Sequence, residues 1–526
     1  MLRYLKLTDR TAGGDILRLH LLFLLAALAG SLAPALSPAQ ESAHPEANVE
    51  SSARDGVLKL LPADSVTEHE LTIGGRKIAY TATAGTLDLF GQDGAPTGAI
   101  FYTAYVAKDA GPDRPLTFAF NGGPGAASAF LHLGLVGPKV LDFGPQARDG
   151  AHAKLVDNPQ SWLDFTDLVL IDPIGTGWSR TVKADDAANY YNVNSDAQSI
   201  AKAIALYVAH NNRSNSPKYL LGESYGGFRA AKVASALQES QGIIVAGAVM
   251  LSPLLEGQLM FNADQFPLGA ALELPSLAAA ELDRHNAFDE EKQRETETFA
   301  LGTYLTTLAG PPPTGADAAA FYGKIAKLTG IPEDIVTRNR GFLGNSFVKH
   351  SDAGSGSVTS PYDASFAAPD PYPESDYDRG DDAILDGFAR AYGGAFADYA
   401  RNELGFKTEM TYSLLDSDIS RRWEWGGGRG GGSRLQASAT DDIRQLLASN
   451  TAFHLLIAHG YSDLVTPYGV SRYVVDHLPP SLARGRVGLK LYRGGHMFYT
   501  NADQRTAFTA DAKAFYATHA AAPPAD

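Results

Sequence analysis

The sequence predicts an α/β protein with a mostly parallel central sheet, helices on both faces and a large cap insertion before the last strands. Two observations carry this. Short apolar runs recur at 116–120, 168–171, 219–221, 248–251, 453–458 and 487–492, each leading through glycine, serine or aspartate towards a helical stretch. Continuous apolar runs that alternate with helices are the mark of strands buried on both faces, as in parallel sheets. The rhythm lapses between about residues 257 and 440 and then resumes, so the lapse reads as an insertion.

In chain order, residues 1–39 have the layout of a signal peptide. Arg3, Lys6, Arg10 and Arg18 precede an apolar run at 21–29, and Ser37-Pro38-Ala39 fits a small-x-small cleavage site before Gln40. That run is well short of the roughly 20 residues that span a bilayer, so no stable membrane insertion is expected after cleavage. The expected location is periplasmic or secreted. Residues 40–58 read as a polar linker, and 59–256 as the first part of the core. Within it, Gly74-Gly75 marks a hairpin turn between alternating strands. Residues 257–440 form the expected cap, helical at 289–308 and 381–404 and loop-like at 351–370 and in the glycine run 426–432. That run lacks the Gly-Lys-Ser/Thr ending of a phosphate loop and reads as a flexible linker. Residues 441–520 complete the core.

Composition narrows the function. The 526 residues are 44% hydrophobic and 20% charged, a globular balance, with a net charge of −15. Such acidity leaves no footprint for nucleic acid or anionic membrane. Cysteine is absent, which excludes disulfides, thiolate metal sites, a cysteine nucleophile and a lipoprotein anchor.

Gly222-Glu223-Ser224-Tyr225-Gly226 matches G-x-S-x-G between an apolar run and a helical stretch. A strand–turn–helix elbow needs small residues at both glycines and lifts the serine above the sheet. A serine hydroxyl becomes nucleophilic only when a base takes its proton, and in this fold the partners follow in the order serine, acid, histidine. Asp463 and His496 satisfy that order, each just beyond its own strand. His454, inside a strand, and His459, ahead of Asp463, read as core or supporting histidines. The oxyanion needs backbone donors. Asn121-Gly122-Gly123-Pro124-Gly125 after an early strand can supply them, together with the Tyr225 amide.

Five motifs now carry a resemblance: residues 121–125, Asp172-Pro-Ile-Gly-Thr-Gly-Trp-Ser179, Gly222-Glu-Ser-Tyr-Gly-Gly227, Gly460-Tyr-Ser-Asp463 and Gly495-His-Met497. In this order they resemble the serine carboxypeptidases (peptidase family S10), here as a bacterial-type member on the α/β-hydrolase fold. The resemblance implies a hydrolase that removes single residues from the free carboxyl end of peptides, with no metal or cofactor. It implies Ser224, Asp463 and His496 as triad and the amides of Gly123 and Tyr225 as oxyanion donors. Asn121, Gly122 and Glu223 would bind the substrate's terminal carboxylate, and Met497 would line the site of the departing residue. The chain departs from the family where Ala126 stands for a frequent cysteine and Ala119 for a tryptophan. A second glutamate expected shortly before Gly137-Pro138 is replaced by Leu135 or Val136. Two other readings stand beside this one. The first is a different acyl-transfer enzyme, such as an esterase, aminopeptidase or acyltransferase; the second is a non-catalytic binding protein on the same scaffold. Trp423, Trp425, Tyr362 and Tyr372 are candidates for setting side-chain preference, and no motif speaks to oligomeric state.

Overall fold

The computed structural model describes residues 54–520 apart from 109, 112, 145–146, 345, 352–355 and 427–431. The expected signal peptide, most of the linker and most of the glycine run lie outside the described residues. The described residues form fourteen strands, in chain order: β1 (Ser65–Ile73), β2 (Arg76–Phe90), β3 (Pro96–Ala107), β4 (Leu116–Phe120), β5 (Lys139–Asp142), β6 (Lys154–Asp157), β7 (Asp167–Ile171), β8 (Arg180–Thr181), β9 (Lys218–Glu223), β10 (Gly247–Leu251), β11 (Ser357–Ser360), β12 (Asp363–Pro369), β13 (His454–Gly460) and β14 (Val487–Tyr492). The central sheet runs β1-β2-β3-β7-β4-β9-β10-β13-β14, with β8 on β3. From β7 to β14 the pairings are parallel, whereas β1, β2 and β3 form an antiparallel flank joined to β7. This is the α/β-hydrolase arrangement, in which the expected parallel sheet carries helices on both faces.

The strand pattern explains the layering. β4, β7, β9 and β10 are buried at every residue, so each supplies alternate side chains to two cores. Phe118, Phe120, Val169, Leu220 and Met250 face the helices Val193–His210 and Tyr225–Ala236. Ala119, Leu170, Leu221, Val249 and Leu456 face the other side, where Leu131, Tyr392, Phe396 and Tyr516 pack. Leu58, in the short 3-10 turn Gly56–Leu60 at the end of the segment read as linker, is buried in this second core.

The stretch 257–440 is not uniform. The helices Pro267–Arg284 and Gly315–Thr329 gather Leu274, Leu277, Tyr304, Phe321, Ile325 and Phe347 into a core of their own. The helix Ala391–Asn402, by contrast, packs on the sheet. The span 289–308 is helical, with a π-turn at Ala300–Tyr304, and 381–404 holds a π-turn before the helix Ala391–Asn402. One expectation fails: the described part of 351–370 is not loop-like, because β11 and β12 pair as an antiparallel hairpin. Each strand is short and only partly buried, so neither shows the long apolar alternation that betrays a strand.

The Asp172–Ser179 motif is a fastening. Ser128 donates to Asp172 Oδ1 through both its amide and its hydroxyl (2.8 and 2.7 Å), and Ser179 Oγ donates to the Asp172 carbonyl. Trp178 meets Phe101 and Tyr412 edge-on at 4.9 Å and donates its indole N–H to the Met410 carbonyl. It thereby ties the returning end of the insertion to the sheet. Trp178→Ala should cost about 3–5 kcal/mol, read as a lower urea midpoint in equilibrium unfolding.

Candidate active site

The site forms where the order of the sheet reverses direction. β4 connects outwards to β7, the chain then crosses back to β9 on the other side of β4, and ligands of open α/β sheets bind at such a crevice. Ser224 stands at the mouth, between β9 and the helix Tyr225–Ala236, with φ 62° and ψ −127°. A non-glycine residue at positive φ is strained and needs its surroundings to hold it. The Ser224 amide donates to the Leu251 carbonyl (2.9 Å), while its carbonyl accepts from Gly227 and Leu254. A Cβ on Gly226 would stand 2.6 Å from the Phe120 carbonyl, and one on Gly122 would stand 2.5 Å from the Tyr225 amide nitrogen. The glycines are what let the loop after β4 lie against the elbow. Among the described residues, neither the Gly123 nor the Tyr225 amide donates a hydrogen bond within the chain, so both donors are available.

Asp463 and His496 meet. His496 Nδ1 lies 2.9 Å from Asp463 Oδ2, and both side chains are buried. Asp463 Oδ1 accepts from the Val465 and Thr466 amides, and Thr466 Oγ1 lies 2.8 Å from Oδ2. With its Nδ1 proton on the carboxylate, the imidazole keeps its Nε2 lone pair as the basic position. Burial opposes protonation of His496, but the charge and hydrogen bond of Asp463 and the nearby Glu223 outweigh it and hold the imidazole above its ordinary value. Ser224 Oγ makes no hydrogen bond to His496 among the described residues, so the acid–base pair is formed and the serine contact is not. Such contacts often tighten only when substrate binds.

Glu223 is 3% exposed, directly before the serine. Asn121 Nδ2 donates to its Oε2, and Tyr499 Oη lies 2.9 and 2.8 Å from its two oxygens. Burial pushes its carboxyl up to about 7; His496, Tyr499 and Asn121 pull it back, and Asp463 adds to the rise. Asn121 is fixed in turn, its Oδ1 accepting from the Leu131 amide and its carbonyl from Arg229. Arg229 is itself buried and paired with Asp196 at 2.7 Å. Leu135 and Val136, the two residues ahead of Gly137-Pro138, are both fully buried.

The remaining candidates separate. His459 is buried with its Nε2 2.7 Å from Ser471 Oγ, and burial lowers it to about 4, so it stays neutral behind Asp463. His454 sits at the start of β13, half-buried and away from the site. Trp423 and Trp425 stand edge-on to the Tyr225 ring at 5.3 and 5.5 Å, Tyr362 lies against His496, and Tyr372 is exposed. Met497 and Tyr362 line a cavity of about 560 Å³ with Phe366, Arg148 and Arg493; Ser224 and Glu223 do not line it. Sequence reasoning missed Tyr499, Thr466 and the Arg229–Asp196 pair. Only Arg229 carried a signal, as a charge on the apolar face of the elbow helix. Among the described residues, no group of three His, Cys, Asp or Glu side chains is placed to hold a metal ion.

The profile described as "Serine carboxypeptidase" matches residues 83–261. Serine carboxypeptidase-like 44 of Arabidopsis thaliana is 28% identical over 176 residues, 32% of this chain and 33% of that one. The pheromone-processing carboxypeptidase KEX1 of Yarrowia lipolytica is 26% identical over 174 residues, 32% of this chain and 26% of that one. The chain thus matches about a third or less of the length of these curated relatives, which come from a plant and a yeast. The crystal structure of Kex1Δp, a prohormone-processing carboxypeptidase from Saccharomyces cerevisiae, shares the fold. It has a TM-score of 0.52 and 14% identity, over 84% of this chain and 91% of that one.

The Glu223 carboxyl titrates higher in the folded chain than its ordinary 4.5, so the native state holds the proton more tightly than the unfolded one. Its contribution to stability is full below about 4.5 and is lost as pH rises through about 7. Glu223→Gln should therefore match wild type near pH 4 and exceed it by about 3 kcal/mol above pH 8, measured by urea unfolding at each pH.

Proposed function

We propose that the protein is an exported serine carboxypeptidase of bacterial type that releases C-terminal residues from peptides. The observation that carries this reading is the buried Glu223 carboxyl beside the serine elbow, held by Asn121 and Tyr499 and protonated into the neutral range. A buried acid there is costly unless it serves a purpose, and a protonated carboxyl can donate to the carboxylate that ends a peptide. The profile match and the carboxypeptidase relatives support the same chemistry.

In this reading the peptide's terminal carboxylate rests on Glu223, Asn121 and the Gly122 backbone, which sets the last peptide bond over Ser224. Ser224 Oγ attacks the carbonyl carbon while His496 Nε2 takes the hydroxyl proton. Asp463 keeps the imidazole oriented and stabilises the imidazolium. The developing oxyanion accepts from the Gly123 and Tyr225 amides. As the C–N bond breaks, His496 returns the proton to the departing amine, whose residue leaves past Met497. Water, activated by His496, then releases the acyl group from Ser224.

Mass spectrometry of one peptide with a free carboxyl end, beside its carboxyl-amidated twin, tests the reading. The free peptide should lose its last residue, with kcat/KM falling as pH rises through about 7, where Glu223 ionises. The amidated twin should lack that alkaline loss, and Ser224→Ala should remove the activity. Equal kcat/KM and equal pH profiles for the twins would make Glu223 no carboxylate clamp and favour an esterase or endopeptidase.

Export rests on the basic, apolar and small order of residues 3–39. Amino-terminal sequencing of protein from its native host should begin at or near Gln40; an intact Met1 on the soluble cytoplasmic protein would refute it. Among the described residues no helix is long and apolar enough to cross a membrane.

A further inference from the structure

The acid and the base of the site sit on separate loops, after β13 and after β14, and a third element holds both. The tip of the β11–β12 hairpin is the two-residue turn Pro361-Tyr362. On one side, the Pro361 carbonyl accepts from the Leu464 amide (3.0 Å), the Ala364 amide donates to the Ser462 carbonyl (3.0 Å), and Ser462 Oγ donates to Asp363 Oδ1 (2.7 Å). These contacts bracket Asp463. On the other side, the Tyr362 carbonyl accepts from the His496 amide. A Cβ on Gly495 would stand 2.0 Å from that same carbonyl, so only glycine lets the turn lie this close. The Tyr362 ring then stands perpendicular to the His496 imidazole, with centroids 5.5 Å apart and planes at 86°.

The hairpin belongs to the insertion, not to the sheet. Ala364 lies in the insertion's own core, Arg284 donates to the Ala364 carbonyl, and Ser360 Oγ donates to Asp382. The catalytic loops are therefore gripped by an element anchored outside the hydrolase core.

Resting on the serine-hydrolase reading above, we propose that the Pro361-Tyr362 turn is a clasp, and that Tyr362 is a positioning residue. Its backbone fixes the spacing of Asp463 and His496, and its ring supports the imidazolium that forms when His496 takes the serine proton. Aromatic rings attract cations, most strongly where water is excluded. The charged or titratable groups facing His496 are Asp463 from the loop after β13, Glu223 from the elbow and His459 from β13 itself. Tyr362 is the aromatic member of that shell. Asp382, Glu223, Asp386 and Asp463 add to burial in holding its hydroxyl protonated.

The rate at which a fluorophosphonate labels Ser224 reads the activation of the serine without depending on peptide specificity. Tyr362→Phe should label at close to the wild-type rate. Tyr362→Leu should label about three- to thirty-fold more slowly, with its acid limb moved to lower pH, because a less supported imidazolium gives up its proton sooner. KM for a small ester should stay within about twofold, since the ring acts through His496. Tyr362→Leu that labels at the wild-type rate with an unmoved acid limb overturns the proposal. So does a loss that appears only as a raised KM, which would make Tyr362 a wall of the substrate pocket. Should Tyr362→Leu not fold, Ser462→Ala cuts the clasp at Asp363 and leaves the ring in place. It should slow labelling by a few-fold, and an unchanged rate there overturns the proposal. Wild-type protein that never labels overturns the hydrolase reading, and the clasp's role with it.

Discussion

Everything in the site depends on how closely two strand ends approach. β4 and β9 are neighbours, and the loops that leave them lie so close that a Cβ on Gly226 would strike the Phe120 carbonyl and one on Gly122 would strike the Tyr225 amide nitrogen. No side chain fits between them. That contact holds Ser224 at a positive φ and brings Asn121 onto Glu223. The strain at the serine is held from three sides: the Leu251 carbonyl at the end of β10, the helix that begins at Tyr225, and the buried Arg229–Asp196 pair that secures the Asn121 carbonyl.

The same closeness couples the protons. Glu223 in its charged form helps to hold a proton on His496, and a charged His496 helps Glu223 to ionise. Each group thus favours the charged form of the other, so the neutral pair and the ion pair are the two preferred arrangements. Catalysis in the proposed reaction needs the neutral pair, with the proton on the carboxyl and none on Nε2. Burial favours that arrangement, since separated charges are costly where water is excluded. Tyr499, which touches both carboxyl oxygens, adjusts to either form because a hydroxyl can donate or accept.

Much of this could be read along the chain, and the reason is geometric. Parallel strands buried on both faces announce themselves as apolar runs, and the residues after them fall at one end of the sheet. Ser224, Asp463 and His496 could therefore be picked out one strand at a time. What stayed hidden needs pairing across distance. Tyr499 reaches Glu223 from 276 positions away, and Arg229 meets Asp196 across 33, with no local pattern to announce either. The β11–β12 hairpin escaped notice because its strands are brief and half-buried. The Asp172–Ser179 motif was visible, but its fastening role emerged only once Trp178 was seen against Phe101 and Tyr412.

The insertion's division into two parts bears on what can be exchanged. The segment with its own core packs as a unit, and on that ground alone it would be free to be shortened or exchanged. The hairpin prevents that freedom. Because its tip is stitched to the loops of both Asp463 and His496, any replacement segment must bring an equivalent turn to the same place. Variation in this part of the chain is therefore constrained from within, and its outer helices can drift only around a fixed point of attachment.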